Sequence, residues 1–156
     1  MTEETEIVTY LFKRLHQLGI RSVHGVPGDF NLAALDYLGP AGLNWVGNCN
    51  ELNAGYAADG YARLNGMSAL ITTFGVGELS ALAAIAGSYS ERVSVVHIVG
   101  VPSTKAQMHG IPMHHSFADG NYSAFRDISK NISQVCIMLD DVNIAGKEID
   151  RVLRGK

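Results

Sequence analysis

Residues 69–81 run Ala69-Leu70-Ile71-Thr72-Thr73-Phe74-Gly75-Val76-Gly77-Glu78-Leu79-Ser80-Ala81. Six residues rich in apolar and β-branched side chains, a Gly-X-Gly turn and then an alanine- and leucine-rich run spell strand, tight turn and helix. The near-continuous apolarity of the strand points to burial on both faces, the habit of a parallel sheet covered by helices. The helix predicted from this run spans Glu78 to Tyr89. Gly-X-Gly between strand and helix also opens the dinucleotide-binding fingerprint, with Ser80 or Ala81 in place of the third glycine. That fingerprint requires an acidic residue at the end of the next strand. Here the next strand, Val93 to Val99, runs into Gly100-Val101-Pro102, so the turn is read as a device for close packing of helix on strand.

Working outward, Ile7, Val8, Leu11, Leu15 and Leu18 recur at helical spacing, predicting an amphipathic helix over Thr5 to Leu18 that Gly19 ends. Ser22 to Val26 is a short strand, Pro27-Gly28-Asp29 breaks the chain, and a helix over Asn31 to Leu38 is closed by Gly39-Pro40. Leu43 to Gly47 reads as a strand, followed by a helix capped by Asn50 that runs through Leu64 to a stop at Gly66. Ala54, Gly55, Ala57, Ala58, Gly60 and Ala62 make that helix thin enough for another backbone to approach closely. Val101 to Asn121 is a long loop, Asn121 to Lys130 holds one helix, Val135 to Leu139 is predicted as a fifth strand, and Val142 to Leu153 as a last helix. Alternating helices and strands imply an α/β fold, a parallel β-sheet with helices on both faces. Ligands on such sheets bind beyond the carboxyl ends of the strands, which gathers Pro27-Gly28-Asp29, Asn50-Glu51, Thr73 to Gly77 and the loop after Val99 on one edge.

Composition narrows the partners. The 156 residues carry 12 Lys+Arg against 15 Asp+Glu, for a formal charge of −3, with no basic cluster; nucleic acid is therefore not an expected partner. No run of apolar residues is long enough to span a membrane, and the acidic start Met1-Thr2-Glu3-Glu4-Thr5-Glu6 is unlike a signal peptide, so the expectation is a cytoplasmic protein without a membrane partner. Cys49 and Cys136 have neither metal-ligand spacing nor the density of a disulfide scaffold and read as reduced, buried or half-buried thiols.

Four residues stand out for chemistry. Glu51 lies in the first turn of a helix, where the helix dipole alone accounts for a carboxylate, but its small neighbours and its place at a strand end predict partial desolvation and a raised pKa suited to proton transfer. His114 and His115 lie in the long loop, with His109 nearby. They read as acid–base or hydrogen-bonding groups or as solvated loop residues, and no metal is expected, because adjacent imidazoles do not easily point at one ion. Asp29 is either a turn or N-cap residue for the helix Asn31 to Leu38 or a residue with a catalytic role. His16, His24 and His97 read as structural.

Val26-Pro27-Gly28-Asp29-Phe30-Asn31-Leu32, Asn50-Glu51-Leu52-Asn53-Ala54, Tyr56-Ala57-Ala58-Asp59-Gly60-Tyr61-Ala62-Arg63, Thr72 to Ala81, Gly87-Ser88-Tyr89 and His114-His115 together resemble the N-terminal, pyrimidine-binding domain of thiamine-diphosphate-dependent 2-oxo acid decarboxylases, the fungal-type pyruvate decarboxylases in particular. The resemblance covers Thr5 to Arg151. It implies that Glu51 hydrogen-bonds a ring nitrogen of the aminopyrimidine of thiamine diphosphate and so favours the imino form that removes the thiazolium C2 proton. It assigns Asp29, His114 and His115 to substrate binding and proton transfer, and Pro27 and Thr73 to the lining of the pyrimidine pocket.

Members of that family continue through a middle domain and a C-terminal domain whose Gly-Asp-Gly and Asn residues hold Mg²⁺ and the diphosphate, and no Gly-Asp-Gly occurs here. The expectation is that residues 1–156 are a pyrimidine-binding domain cut before its last strand, with the other two domains absent. The same resemblance implies pyruvate as substrate and a homo-oligomer, dimer or tetramer, with half of each active site per chain. The alternative is a short non-catalytic module that binds a full-length decarboxylase subunit through the small-residue helix Glu51 to Leu64.

Overall fold

The computed structural model describes residues 5–155. Its element order is α1 (Ile7–Gln17), β1 (Ser22–Gly25), α2 (Leu32–Leu35), β2 (Asn44–Gly47), α3 (Glu51–Asn65), β3 (Ser68–Thr73), α4 (Val76–Ser90), β4 (Val95–Gly100), α5 (Thr104–Met108), α6 (Ala124–Ser129) with a 3-10 turn at Lys130–Ile132, and α7 (Val142–Leu153). The strands form one sheet in the order β2-β1-β3-β4, and every pair is parallel.

β3 is the centre, with all six residues buried. Its pleat sends Ala69 and Ile71 to one face, where Phe12, Leu15, Ile20, Val23, Leu38, Ile149 and Leu153 complete the larger core with α1 and α7. Leu70 points to the other face, against Ala54, Ala58, Ala81 and Ile85 of α3 and α4. The small residues of α3 let the two helices touch, since a Cβ on Gly55 would stand 2.6 Å from the Ala84 Cβ. Helices on both faces and a parallel sheet are as the hydrophobic pattern predicts.

The ends of α3 follow from local chemistry. Asn50 accepts a hydrogen bond from the Asn53 N–H at 2.8 Å, and Gly66 leaves the helix at φ 89°, a conformation that costs a glycine little. α2 is shorter than expected, because the Asn31 side chain turns back to the Pro27-Gly28 loop instead of capping the helix. Within α7 the buried residues are Ala145, Ile149 and Leu153, four apart, while Ile144 is exposed. The long loop contains α5, and the helix expected over Asn121 to Lys130 is limited to α6 and its 3-10 turn.

Two expectations fail. Val135 to Leu139 forms no strand. Its residues are half-buried and Leu139 packs on the main core, but a strand exists only through a ladder to a neighbour, and β4 pairs on one side alone among the described residues. Cys49 is exposed, because it rides on the loop between β2 and α3; Cys136 is half-buried as expected. No helix among the described residues is long and apolar enough to cross a membrane.

Two structural histidines sit in the sheet. His97 Nε2 lies 2.9 Å from Thr72 Oγ1, and burial pushes its pKa down from the ordinary 6.5 to about 4. His24, packed edge-on against Tyr61, is 8% exposed with neither ring nitrogen hydrogen-bonded among the described residues, and burial lowers its pKa too. The unfolded chain therefore takes up protons as pH falls below about 6.5, before the folded chain does, so stability drops through that window and the His97 contribution levels off near pH 4. For His97 the loss amounts to at most about 3 kcal/mol, less because β4 keeps part of its surface in solvent. Urea unfolding at a series of pH values should show a shallower decline in a His97→Gln variant than in the parent protein; equal slopes would remove His97 as a source of acid sensitivity.

Candidate functional site

The carboxyl ends of four parallel strands lie on one edge of the sheet. β1 connects outward to β2 and β3 connects outward to β4, so the chain diverges between β1 and β3 and leaves a crevice there. The loops that leave these strands meet at the turn from β3 into α4. Gly28, after β1, is packed on Thr73, where a Cβ would stand 2.6 Å from the Thr73 Cβ and 2.8 Å from its Oγ1. Glu51, after β2, reaches the same turn, and a Cβ on Gly77 would be 3.0 Å from its Oε1. The loop after β4 brings the His115 carbonyl oxygen against Gly75, where any Cβ would collide with it. Gly75 itself has φ 66°, so a side chain there is excluded by both conformation and space.

The loop from Val26 to Asn31 is stiffened from within. Asn31, 2% exposed, accepts from the Gly28 N–H at 2.9 Å and donates to the Val26 carbonyl at 3.3 Å. With Asn31 in that role, Asp29 is neither the N-cap of α2 nor a turn acceptor. Its Oδ2 lies 2.7 Å from His114 Nε2. Phe30 stacks on His114 with centroids 4.8 Å apart and planes at 15°, and it meets Phe74 edge-on. His115 has φ 63°, and this left-handed residue swings the two rings toward each other, 4.6 Å between centroids at 67°.

The edge thus holds two groups of polar side chains. Asp29, His114 and His115 form one, at the mouth. Glu51 and Thr73 form the other, beside Pro27-Gly28 and Gly77. Glu51 is half-buried, and its carboxylate makes no hydrogen bond or ion pair among the described residues. Thr73 Oγ1 is buried against Gly28 without a hydrogen-bond partner among the described residues. A carboxylate without a partner among the described residues, in a crevice held narrow by Gly28 and Gly77, suits a flat polar heterocycle that offers a ring nitrogen. Such a ring would be held by Glu51, with Thr73 and Pro27 on its border. His109 is exposed and belongs to neither group.

Sequence reading passed over Glu78. It is 4% exposed at the third position of α4, and burial pushes its carboxyl up to about 7, opposed by a hydrogen bond from the Gly75 N–H. The signal was available, since an acid three residues after the N-cap glycine reaches back to the open helix end in the manner of half a capping box. Phe30 and Asn31 also escaped notice as positioning residues.

Residues 5–122 match the family described as thiamine pyrophosphate enzyme, N-terminal TPP binding domain. The chain is 58% identical over 154 residues to a pyruvate decarboxylase of Aspergillus fumigatus, covering 99% of this chain and 27% of that protein. It is 53% identical over 152 residues to pyruvate decarboxylase of Kluyveromyces lactis and to pyruvate decarboxylase isozyme 1 of Saccharomyces cerevisiae, covering 97% of this chain and 27% of each. The chain therefore spans about a quarter of the length of these relatives.

Glu78 makes a separate contribution to stability. The unfolded chain loses this proton near the ordinary 4.5 and the folded chain near 7, so burial costs stability that grows as pH rises through that window and is constant above it. A Glu78→Gln variant keeps the acceptor for the Gly75 N–H and removes the charge. It should be more stable than the parent at about pH 8, by up to about 3 kcal/mol, with the gain vanishing near pH 4. Thermal melts at the two pH values check this, and an equal effect at both would show that Glu78 is not held as a buried acid.

Proposed function

The chain belongs to the thiamine pyrophosphate enzymes through their N-terminal TPP binding domain, and we propose on that premise that it supplies the pyrimidine-binding half of the active site of a 2-oxo acid decarboxylase. The substrate is pyruvate and the products are acetaldehyde and CO₂, a reading that rests on the names of the relatives. The observation that carries it is the carboxylate of Glu51, which has no hydrogen-bond or ion-pair partner among the described residues and stands against Gly77 at the carboxyl edge of the sheet.

When bound, thiamine diphosphate supplies a carbon nucleophile for the 2-oxo group and an electron sink for the charge left by CO₂. The chain's own residues do the rest of the work on this side. Glu51 would hold a proton at the ring nitrogen of the bound pyrimidine. Thr73 and Pro27 would border the ring, and Gly28 and Gly77 would keep the slot narrow. Asp29, His114 and His115, joined in one cluster at the mouth, bind the carboxylate end of the substrate and deliver the proton that the product carbon needs. The Phe30 ring under His114 sets that imidazole's plane and keeps water from one face of it.

Three further parts of the reading follow. Residues 1–156 act as one pyrimidine-binding domain, and Mg²⁺ with the diphosphate is held by residues outside them. A further strand pairs with the edge of β4 that is open among the described residues. The protein is a cytoplasmic homo-oligomer in which a second subunit covers α3 and α4, whose Tyr56, Leu64, Val76, Leu79 and Tyr89 stand exposed.

Glu51→Gln preserves shape and removes the acid. In the complete enzyme it should leave the fold intact by circular dichroism and lower kcat by about 100-fold or more. Wild-type turnover in this variant would take Glu51 out of the mechanism. The 156 residues alone, given thiamine diphosphate and Mg²⁺, should release no acetaldehyde from pyruvate in a coupled dehydrogenase assay.

A further inference from the structure

We propose that Asp29, His114 and His115 form a binding site for one divalent transition-metal ion of the zinc class. Each side chain offers one ligand atom, and the three atoms lie within 4.8 Å of one another. Two imidazoles and a carboxylate are the donors such an ion selects, and three protein ligands leave its fourth position open to water or a small anion.

The usual objection to neighbouring histidines is that their side chains diverge. It does not hold here, because His115 sits at φ 63° with its carbonyl lodged against Gly75, and this turn brings its ring to 4.6 Å from that of His114. The His114 ring is fixed by the Phe30 stack and by Asp29 at 2.7 Å. Ligand atoms on a tetrahedral zinc stand about 3.3 Å apart, given metal–ligand distances of about 2.0–2.1 Å. The present spread of up to 4.8 Å exceeds that spacing by about 1.5 Å, a difference that side-chain rotation of the exposed Asp29 and of His115 would have to close. Asp29 and His114 keep 55% and 53% of their side-chain surface in solvent, so an ion reaches the cluster without opening the fold. Magnesium does not suit this donor set, since it prefers oxygen ligands in an octahedron.

The site rests on this geometry alone and goes beyond the proposed decarboxylation. An ion held here would occupy the imidazoles that the proposed reaction needs free, so zinc and substrate would compete.

The test is calorimetric titration of the chelator-stripped protein with zinc chloride at about neutral pH, without pyruvate or thiamine diphosphate. The expected result is one equivalent bound with a Kd of about 1 μM or tighter. His114→Gln, His115→Gln and Asp29→Asn should each weaken it by at least about tenfold, whereas His109→Gln and Cys49→Ser should leave it unchanged. Absence of stoichiometric binding to the parent protein overturns the proposal, whatever the variants do. Binding that survives His114→Gln and disappears in Cys49→Ser overturns it as well, by moving the ion to the exposed thiol. No substrate or cofactor enters the measurement, so its failure is distinct from a failure of the decarboxylase reading.

Discussion

The backbone of the turn between β3 and α4 must be approached on three sides at once, and the rest of the functional edge depends on that. Gly28 and its loop lie on Thr73, Glu51 lies against Gly77, and the His115 carbonyl lies against Gly75. These contacts come from loops after β1, β2 and β4 respectively, and only a parallel sheet sends all of those loops to one end. Missing Cβ atoms create the room. Charge then acts in a space that sterics has already shaped: the Asp29–His114 pair forms because Asn31 pins one loop and Gly75 receives the other.

The two faces of the sheet are built differently. One carries the large side chains of α1 and α7, tied across their surface by Arg14 Nε and Asp150 Oδ1 at 2.8 Å. The other is thin, with alanine and glycine between α3 and α4 and a hydrogen bond from Ser88 to Asp59 at 2.7 Å joining the helices. Thin packing places the start of α3 close to the start of α4, which is why Glu51 reaches Gly77. It also leaves little apolar area buried beneath these helices while their outer surfaces keep several large apolar side chains in solvent, an arrangement that gains stability when a second surface covers it.

Much of this was legible in the sequence, and where it was not the reason is physical. α3 was readable at both ends because its signals are local, an Asn cap and a left-handed glycine. The strand 69–74, the parallel sheet and the gathering of Asp29, Glu51, Thr73 and the histidine loop on one edge followed from apolar continuity and from topology. The orientation of His114 and His115 was not legible, since it depends on one left-handed residue lodged against a glycine forty positions away. Nor was the division of labour between Asp29 and Asn31: both are turn formers by type, and only the fold shows which one bonds the backbone. Val135 to Leu139 was misread for a related reason, because apolar β-branched content states what a strand would bury and says nothing of whether a neighbour exists to pair with it.

That misreading bears on the edge of the sheet. Among the described residues β4 has hydrogen-bonded company on one side only, yet all six of its residues are half-buried, and Val96 and Ile98 pack on the main core. Beside it an apolar cleft of about 230 Å³ opens between α1 and β4, lined by Ile7, Phe30 and Ile98 among others. Leu139 reaches the same core from the unpaired segment. An open ladder flanked by apolar surface on both faces is costly to leave in water and templates pairing with whatever strand can reach it. Val135 to Leu139 are half-buried as well and pair with no strand among the described residues. A strand that paired there would complete the ladder on the open side of β4 and leave the crevice between β1 and β3, two strands away, undisturbed.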